Sequence, residues 1–179
     1  MNAHARDARL PAGSLVLRPW QPGDLGVLLD AYRDPAVRAG SRAPVADEEA
    51  AGRWLSAQEA GRATGLRHSF AVVDRELGDG PVGNVALSFP EPGSPSAEVG
   101  YWTVAPARGR GIAPRALEAL SAWAFGTFAE RGLVRLELLH QVDNAASCRV
   151  AEKAGYGLTE VLPPFPPWPG EGHRHTRTA

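Results

Sequence analysis

The chain has a single cysteine, a single methionine and a single lysine among its 179 residues. One cysteine, Cys148, excludes an internal disulfide and any cysteine-rich metal site. No apolar run approaches the ~18–20 residues that would span a bilayer, and Met1 to Pro11 lacks the apolar segment of a secretion signal. Charge of one sign is also missing: the net charge is −1, without a basic stripe, so neither nucleic acid nor an anionic membrane is expected as a partner. The expectation is a soluble cytoplasmic protein. Against these absences stand an apolar fraction of 44 % and a charged fraction of 22 %, enough for one well-packed core.

The chain reads as alternating short strands and helices. Leu15 to Trp20 forms a first strand, ended by the turn Gln21-Pro22-Gly23-Asp24. Leu25, Leu28, Leu29 and Tyr32 then mark one face of a helix that Asp24 can cap, with Pro35 and Gly40 bracketing its end. A second helix starts at Asp47 and fades by Gly61. Phe70 to Val73 and Val82 to Phe89 are strands around Gly78-Asp79-Gly80, and a third strand runs from Ala97 to Val104. A helix from about Gly111 to Arg131, a buried strand from Leu133 to Val142, a helix from Asn144 to Gly155 and a strand from Tyr156 to Leu162 follow. This mixed order predicts one α/β sandwich on a single sheet.

The most informative run is Glu98 to Ala113. A strand ends at Val104, a loop carries Gly109 and Gly111, and a helix begins. Glycines let a backbone approach a ligand, and a helix N-terminus supplies unpaired N–H donors and partial positive charge. Arg108 and Arg110 add charge, which suits a pyrophosphate. The sequence lacks the Gly-Lys-Ser/Thr ending of a Walker loop and the third small residue of a dinucleotide fingerprint. The plainer alternative is a Gly-rich turn joining strand to helix.

The flanking residues favour the first reading. Arg108-x-x-Gly111-x-Ala113 resembles the acetyl-CoA motif of the GNAT acetyltransferases. Asn144-x-x-Ser147, followed by a helix and Gly155-Tyr156, is similar to that family's second motif, and Leu17-Arg18-Pro19 with Asp24 resembles the entry to its Rim-type branch, which acetylates protein N-termini. The resemblance covers roughly residues 14 to 162. It implies a mixed α/β sheet with splayed central strands flanked by helices, with residues 1–13 a flexible segment and 14–179 a single acetyltransferase domain.

The resemblance further implies acetyl-CoA as co-substrate, lying between the strands Ala97–Val104 and Leu133–Val142. Backbone groups near Thr103 and Val104 would bond its pantetheine amides, and those of Arg108, Gly109, Arg110, Gly111, Ile112 and Ala113 its pyrophosphate. Asn144 would meet the pantetheine or acetyl end. A primary amine, from a protein or peptide N-terminus or a small molecule, would attack the thioester directly in a ternary complex. Such attack needs a base, an oxyanion donor and a proton for the thiolate. Glu98 is the candidate base, its alternative being an exposed carboxylate at a sheet end. Some relatives carry a Tyr seven residues after the Asn as proton donor; Ala151 stands there. That moves the role to Ser147, whose alternative is a hydroxyl bonded within its own helical turn. A non-catalytic acyl-CoA-binding sensor would need neither group.

The remaining candidates read more plainly. Cys148 is expected to be a small buried hydrophobe with no His near it in sequence, and Tyr156 core packing. His68 and His140 are isolated, while His173 and His175 belong to a polar tail; surface roles and no metal are expected. The family ends on a further strand, which the segment after Gly170 either abbreviates or lacks. Phe165 and Trp168, in the Pro-rich stretch before it, are candidate acceptor-site residues or simple packing. A homodimer is the default oligomer.

Overall fold

The computed structural model describes residues 8–41, 45–164, 166 and 168–179. Eight strands and five helices follow in the order β1 (Leu10–Ala12), β2 (Leu15–Pro19), α1 (Leu25–Arg33), α2 (Pro35–Ala39), α3 (Glu48–Thr64), β3 (Arg67–Asp74), β4 (Pro81–Ser88), β5 (Ser96–Thr103), α4 (Ile112–Phe128), β6 (Arg135–Gln141), α5 (Ala145–Lys153), β7 (Gly157–Leu162) and β8 (Gly172–Thr178). All strands join one sheet in the spatial order β1-β2-β3-β4-β5-β6-β8-β7. Every pairing is antiparallel except β5 with β6, whose parallel match requires the crossover through α4.

Three elements depart from the sequence pattern. Leu10 to Ala12, within the stretch expected to be flexible, pairs with Leu15 to Leu17 across the Gly13 turn and so joins the sheet. Pro35 does not merely end the first helix. Asp34 accepts the Ala36 N–H at 2.8 Å and caps a separate short helix, α2, with proline in its first turn. The polar tail is neither an edge nor missing: β8 inserts between β6 and β7 and pairs with both. Its alternation of His and Arg hides the usual apolar signature of an interior strand.

Helices cover both faces. On one, α4 turns Ile112, Ala116, Leu117, Leu120, Ala124 and Phe128 onto Leu17, Phe70, Val72, Val85, Leu87, Val99, Leu136 and Leu138, with Ala151 and Tyr156 closing the layer. Each fully buried leucine here contributes on the order of 2 kcal/mol. Tyr156 packs as expected, and its hydroxyl meets Ser121 Oγ at 2.7 Å. On the other face, Trp20, Leu28, Tyr32, Val37, Trp54 and Ala71 hold α1, α2 and α3 against the sheet. Arg18 and Asp24 join β2 to α1 through two hydrogen bonds of 2.7 and 2.8 Å, nearly out of solvent. The Leu17-Arg18-Pro19…Asp24 signature is therefore an architectural tie.

His68, on β3, is 2 % exposed and packs against Trp123 and Phe128. Burial pulls its pKa from 6.5 to about 4, against an opposing pull from the Gly65 backbone. The unfolded chain therefore binds a proton that the fold refuses between those values, so stability is complete above 6.5 and declines as pH falls toward 4. The loss approaches about 3 kcal/mol. His68→Leu should flatten this decline, which urea midpoints measured across that pH window would show; an unchanged slope would place the acid sensitivity elsewhere.

Candidate active site

The sheet opens at its centre. β5 and β6 pair from Ser96↔Arg135 to Val99↔Leu138 and then part, although both strands continue. Beyond the split, β5 stays on β4 through Gly83↔Thr103, and β6 stays on β8 through His140↔His173. A Cβ at Gly83 would lie 2.6 Å from the Trp102 carbonyl oxygen, so glycine permits that close pairing. Val104 donates to Val82 at 3.0 Å. By the alternation of an antiparallel ladder, Tyr101 and Thr103 then turn their N–H and C=O groups away from β4 and into the gap. Of the two backbone positions named from sequence, Thr103 faces the cleft, whereas the Val104 N–H is already used.

The loop at the mouth of the gap leads into α4. Gly109 and Gly111 take φ of 77° and 71°, the left-handed region that favours glycine. Gly111 is the N-cap and has no side chain to cover the first turn. Ile112 and Ala113 have no acceptor for their N–H groups within the helix, and Pro114 carries no N–H at all. The result is an open donor end on a 17-residue helix. Ile112 is buried, so its backbone alone can serve a ligand, while Arg110 is exposed. Arg108 is a brace: its Nε donates to the Thr103 carbonyl at 3.0 Å and its guanidinium meets Asp34 at 2.5 Å. The Ala36 N–H, and beyond it Arg108, hold the Asp34 carboxyl below the usual carboxylate range.

On the other side of the gap, Asn144 caps α5 by accepting the Ser147 N–H at 3.1 Å. The Ser147 hydroxyl meets Tyr101 OH at 2.9 Å, bridging the two sides of the cleft. Burial pushes the Tyr101 phenol up, against the pull of the Ser147 bond, so it keeps its proton at neutral pH. Tyr101 escaped the sequence reading because nothing along the chain links it to Ser147. Its one signal is strand parity with Val99, which puts it on the α5 face.

Glu98 lies on the opposite face, where Trp102 packs on Trp20 and Tyr32. It neighbours Ser88 and Glu137 near the apex of the split, one residue before the last β5–β6 pair. Arg135 and Arg174 both pair with Glu137 and offset its charge. Trp168 is buried and cannot offer its ring broadly to an acceptor, and Phe165 lies outside the described residues. A hollow of about 390 Å³ bounded by Leu66, Phe89 and Phe128 sits at the other end of the sheet, away from the loop and the split.

Gly111→Ala should cost about 1 kcal/mol, because an L residue must adopt the left-handed region even though open space surrounds the new methyl. Gly52→Ala, inside α3 and equally unobstructed, should instead stabilise by about 0.5–1 kcal/mol. Urea denaturation of both variants checks the contrast; equal effects would contradict the strained turn.

The family profile of the acetyltransferase (GNAT) domain matches residues 14–157. No curated protein matches the sequence. Among solved structures, a GNAT-family acetyltransferase from Bacillus anthracis superposes with a TM-score of 0.81 at 18 % identity, covering 96 % of this chain and 98 % of its own. RimJ of Mycobacterium smegmatis, in complex with CoA-disulfide, gives 0.80 at 20 %, covering 97 % and 87 %. An acetyltransferase of Salmonella typhimurium that modifies the N-terminal serine of ribosomal protein L7/L12 gives 0.79 at 19 %, covering 96 % and 99 %. At such identities the likeness speaks for the fold, while the profile match spans most of the chain: the protein belongs to the GNAT acetyltransferase family.

Proposed function

We propose that the protein transfers the acetyl group of acetyl-CoA to a primary amine, that of a peptide N-terminus first among the candidates. The observation that carries this reading is the parting of β5 and β6 after Val99 and Leu138, with an open helix N-terminus at its mouth. An extended pantetheine arm needs a strand-like partner, and the Tyr101 backbone with the Thr103 N–H faces the gap, the Thr103 carbonyl being taken by Arg108. A pyrophosphate needs N–H donors at its other end, which the α4 start supplies. The RimJ complex with CoA-disulfide and the L7/L12-modifying enzyme support the cofactor and the acceptor class by likeness.

The amine approaches from the face that carries Glu98, and Glu98 takes its proton, directly or through water. The nitrogen then bonds to the thioester carbon, and a backbone N–H of β5 steadies the oxyanion. As the C–S bond breaks, Ser147 passes a proton to the departing thiolate and recovers one from Tyr101, whose phenolate is reprotonated from solvent as Glu98 releases its proton there. Base and acid thus act from opposite faces of one split sheet.

Thiol release from acetyl-CoA, followed over a panel of N-terminal peptides and small amines, tests the proposal. Turnover should appear with a peptide class, and Glu98→Gln should lower kcat about a hundredfold or more, with acetyl-CoA affinity kept by titration calorimetry. Ser147→Ala should lower kcat without weakening acetyl-CoA binding. Tight binding with no turnover across the panel would favour a sensor, and absence of binding would reduce the loop to a turn.

A further inference from the structure

Four donors from three elements converge behind the cleft. His140 lies next to the last residue of β6, Cys148 sits in the first turns of α5, and His173 and His175 lie on β8. The register brings them together: His140 pairs with His173 and Leu138 with His175, so all three imidazoles share the face that α5 covers. One ligating atom from each of the four residues lies within 4.8 Å of the others. Cys148 Sγ stands 3.3 Å from His173 Nδ1 and 3.7 Å from His140 Nε2.

The second atoms of the rings fix how the first are aimed. His140 Nδ1 sits 2.7 Å from the Gln141 carbonyl, which makes it the protonated nitrogen and leaves Nε2 a lone pair toward the cluster. His175 Nδ1 turns to the Tyr156 carbonyl at 3.4 Å. Its Nε2 is buried without a partner on a side chain that is 1 % exposed. A buried, unpartnered ring nitrogen is costly unless something binds it. The rings of His140 and His175 stack at 5.1 Å, an arrangement for neutral imidazoles.

We propose that His140, Cys148, His173 and His175 form a structural zinc site. Three imidazole nitrogens and one thiolate suit a borderline-soft, tetrahedral ion, and the absence of carboxylates from the set speaks against calcium or magnesium. A tetrahedral zinc spaces such N and S donors about 3.6 Å apart, and the two measured contacts bracket that. Binding replaces the Cys148 thiol proton by the metal and releases it to solvent. Backbone carbonyls of Gln141 and Tyr156 hold two of the rings, as outer partners of metal ligands do. The ion would rivet α5 to β6 and β8, one residue from Ser147. The chain hides this set because its members lie on three elements and 25 residues separate Cys148 from His173. The proposal reverses the expectation of no metal, and it holds whatever acceptor the enzyme takes.

The purified full-length protein, stripped with chelator, is titrated with Zn²⁺ and separately with Co²⁺. The expected result is one metal per chain, a thermal midpoint that rises with zinc and falls back with chelator, and a cobalt spectrum with sulfur-to-metal charge transfer and strong tetrahedral visible bands. Zinc should also slow the reaction of Cys148 with a disulfide reagent at least about tenfold. Cys148→Ser should abolish the charge-transfer band, and His173→Ala, at a partly buried position, should weaken zinc binding at least about tenfold. Sub-stoichiometric binding, a cobalt spectrum of the unaltered protein without sulfur ligation, or unchanged affinity in both variants would overturn the site. The cobalt spectrum decides even where a variant fails to fold.

Discussion

Once β5 and β6 separate, neither strand can leave its backbone groups unpaired on its remaining side, and most of the architecture answers that constraint. β4 holds β5 through a glycine that permits close approach, and β8 holds β6 along its whole length. The insertion of β8 between β6 and β7 keeps β6 from being a frayed edge beside the gap. Only then can the inner backbone of Tyr101 and the Thr103 N–H stand available for a guest instead of for the protein.

The same opening governs where charge sits. Arg108, the most obvious cation for a phosphate, spends its guanidinium on the Thr103 carbonyl and on Asp34. It thereby ties the loop to the start of α2, on the face that carries Trp102 and Glu98. Donors left toward the mouth come from the backbone at the beginning of α4, where two glycines in the left-handed region turn the chain. Rigid N–H groups need no side-chain ordering to hold an anion, and that suits a ligand that must come and go.

Helix α5 faces two ways. Asn144 caps it, Ser147 reaches across to Tyr101, and the next residue, Cys148, turns back to the imidazoles of β6 and β8. In the proposed mechanism, a serine held 2.9 Å from a phenol gains from a helix whose first turn is held from behind.

Much of the fold was legible in the chain because local periods and punctuation carried it: the amphipathic face of α1, the run of β-type residues in β4, and glycines at 109 and 111 between a strand and a helix. The motif spacing from Arg108 to Ala113 and from Asn144 to Ser147 sufficed for the family, and for the backbone donors at α4, because these depend on neighbours within a few residues. Non-local pairing decided the rest. Strand β8 reads as a polar tail until β6 and β7 bond to it on both sides, since its burial comes from position in the sheet and not from composition. Tyr101 meets Ser147 across 46 positions, and Arg108 reaches Asp34 across 74. Four metal-type donors that look isolated along the chain converge only through the β6–β8 register. Sequence determined which segments could be helix, strand and Gly-rich turn; tertiary structure decided which side chains meet, because strand register sets face and neighbour, and no local pattern encodes a register between segments so far apart.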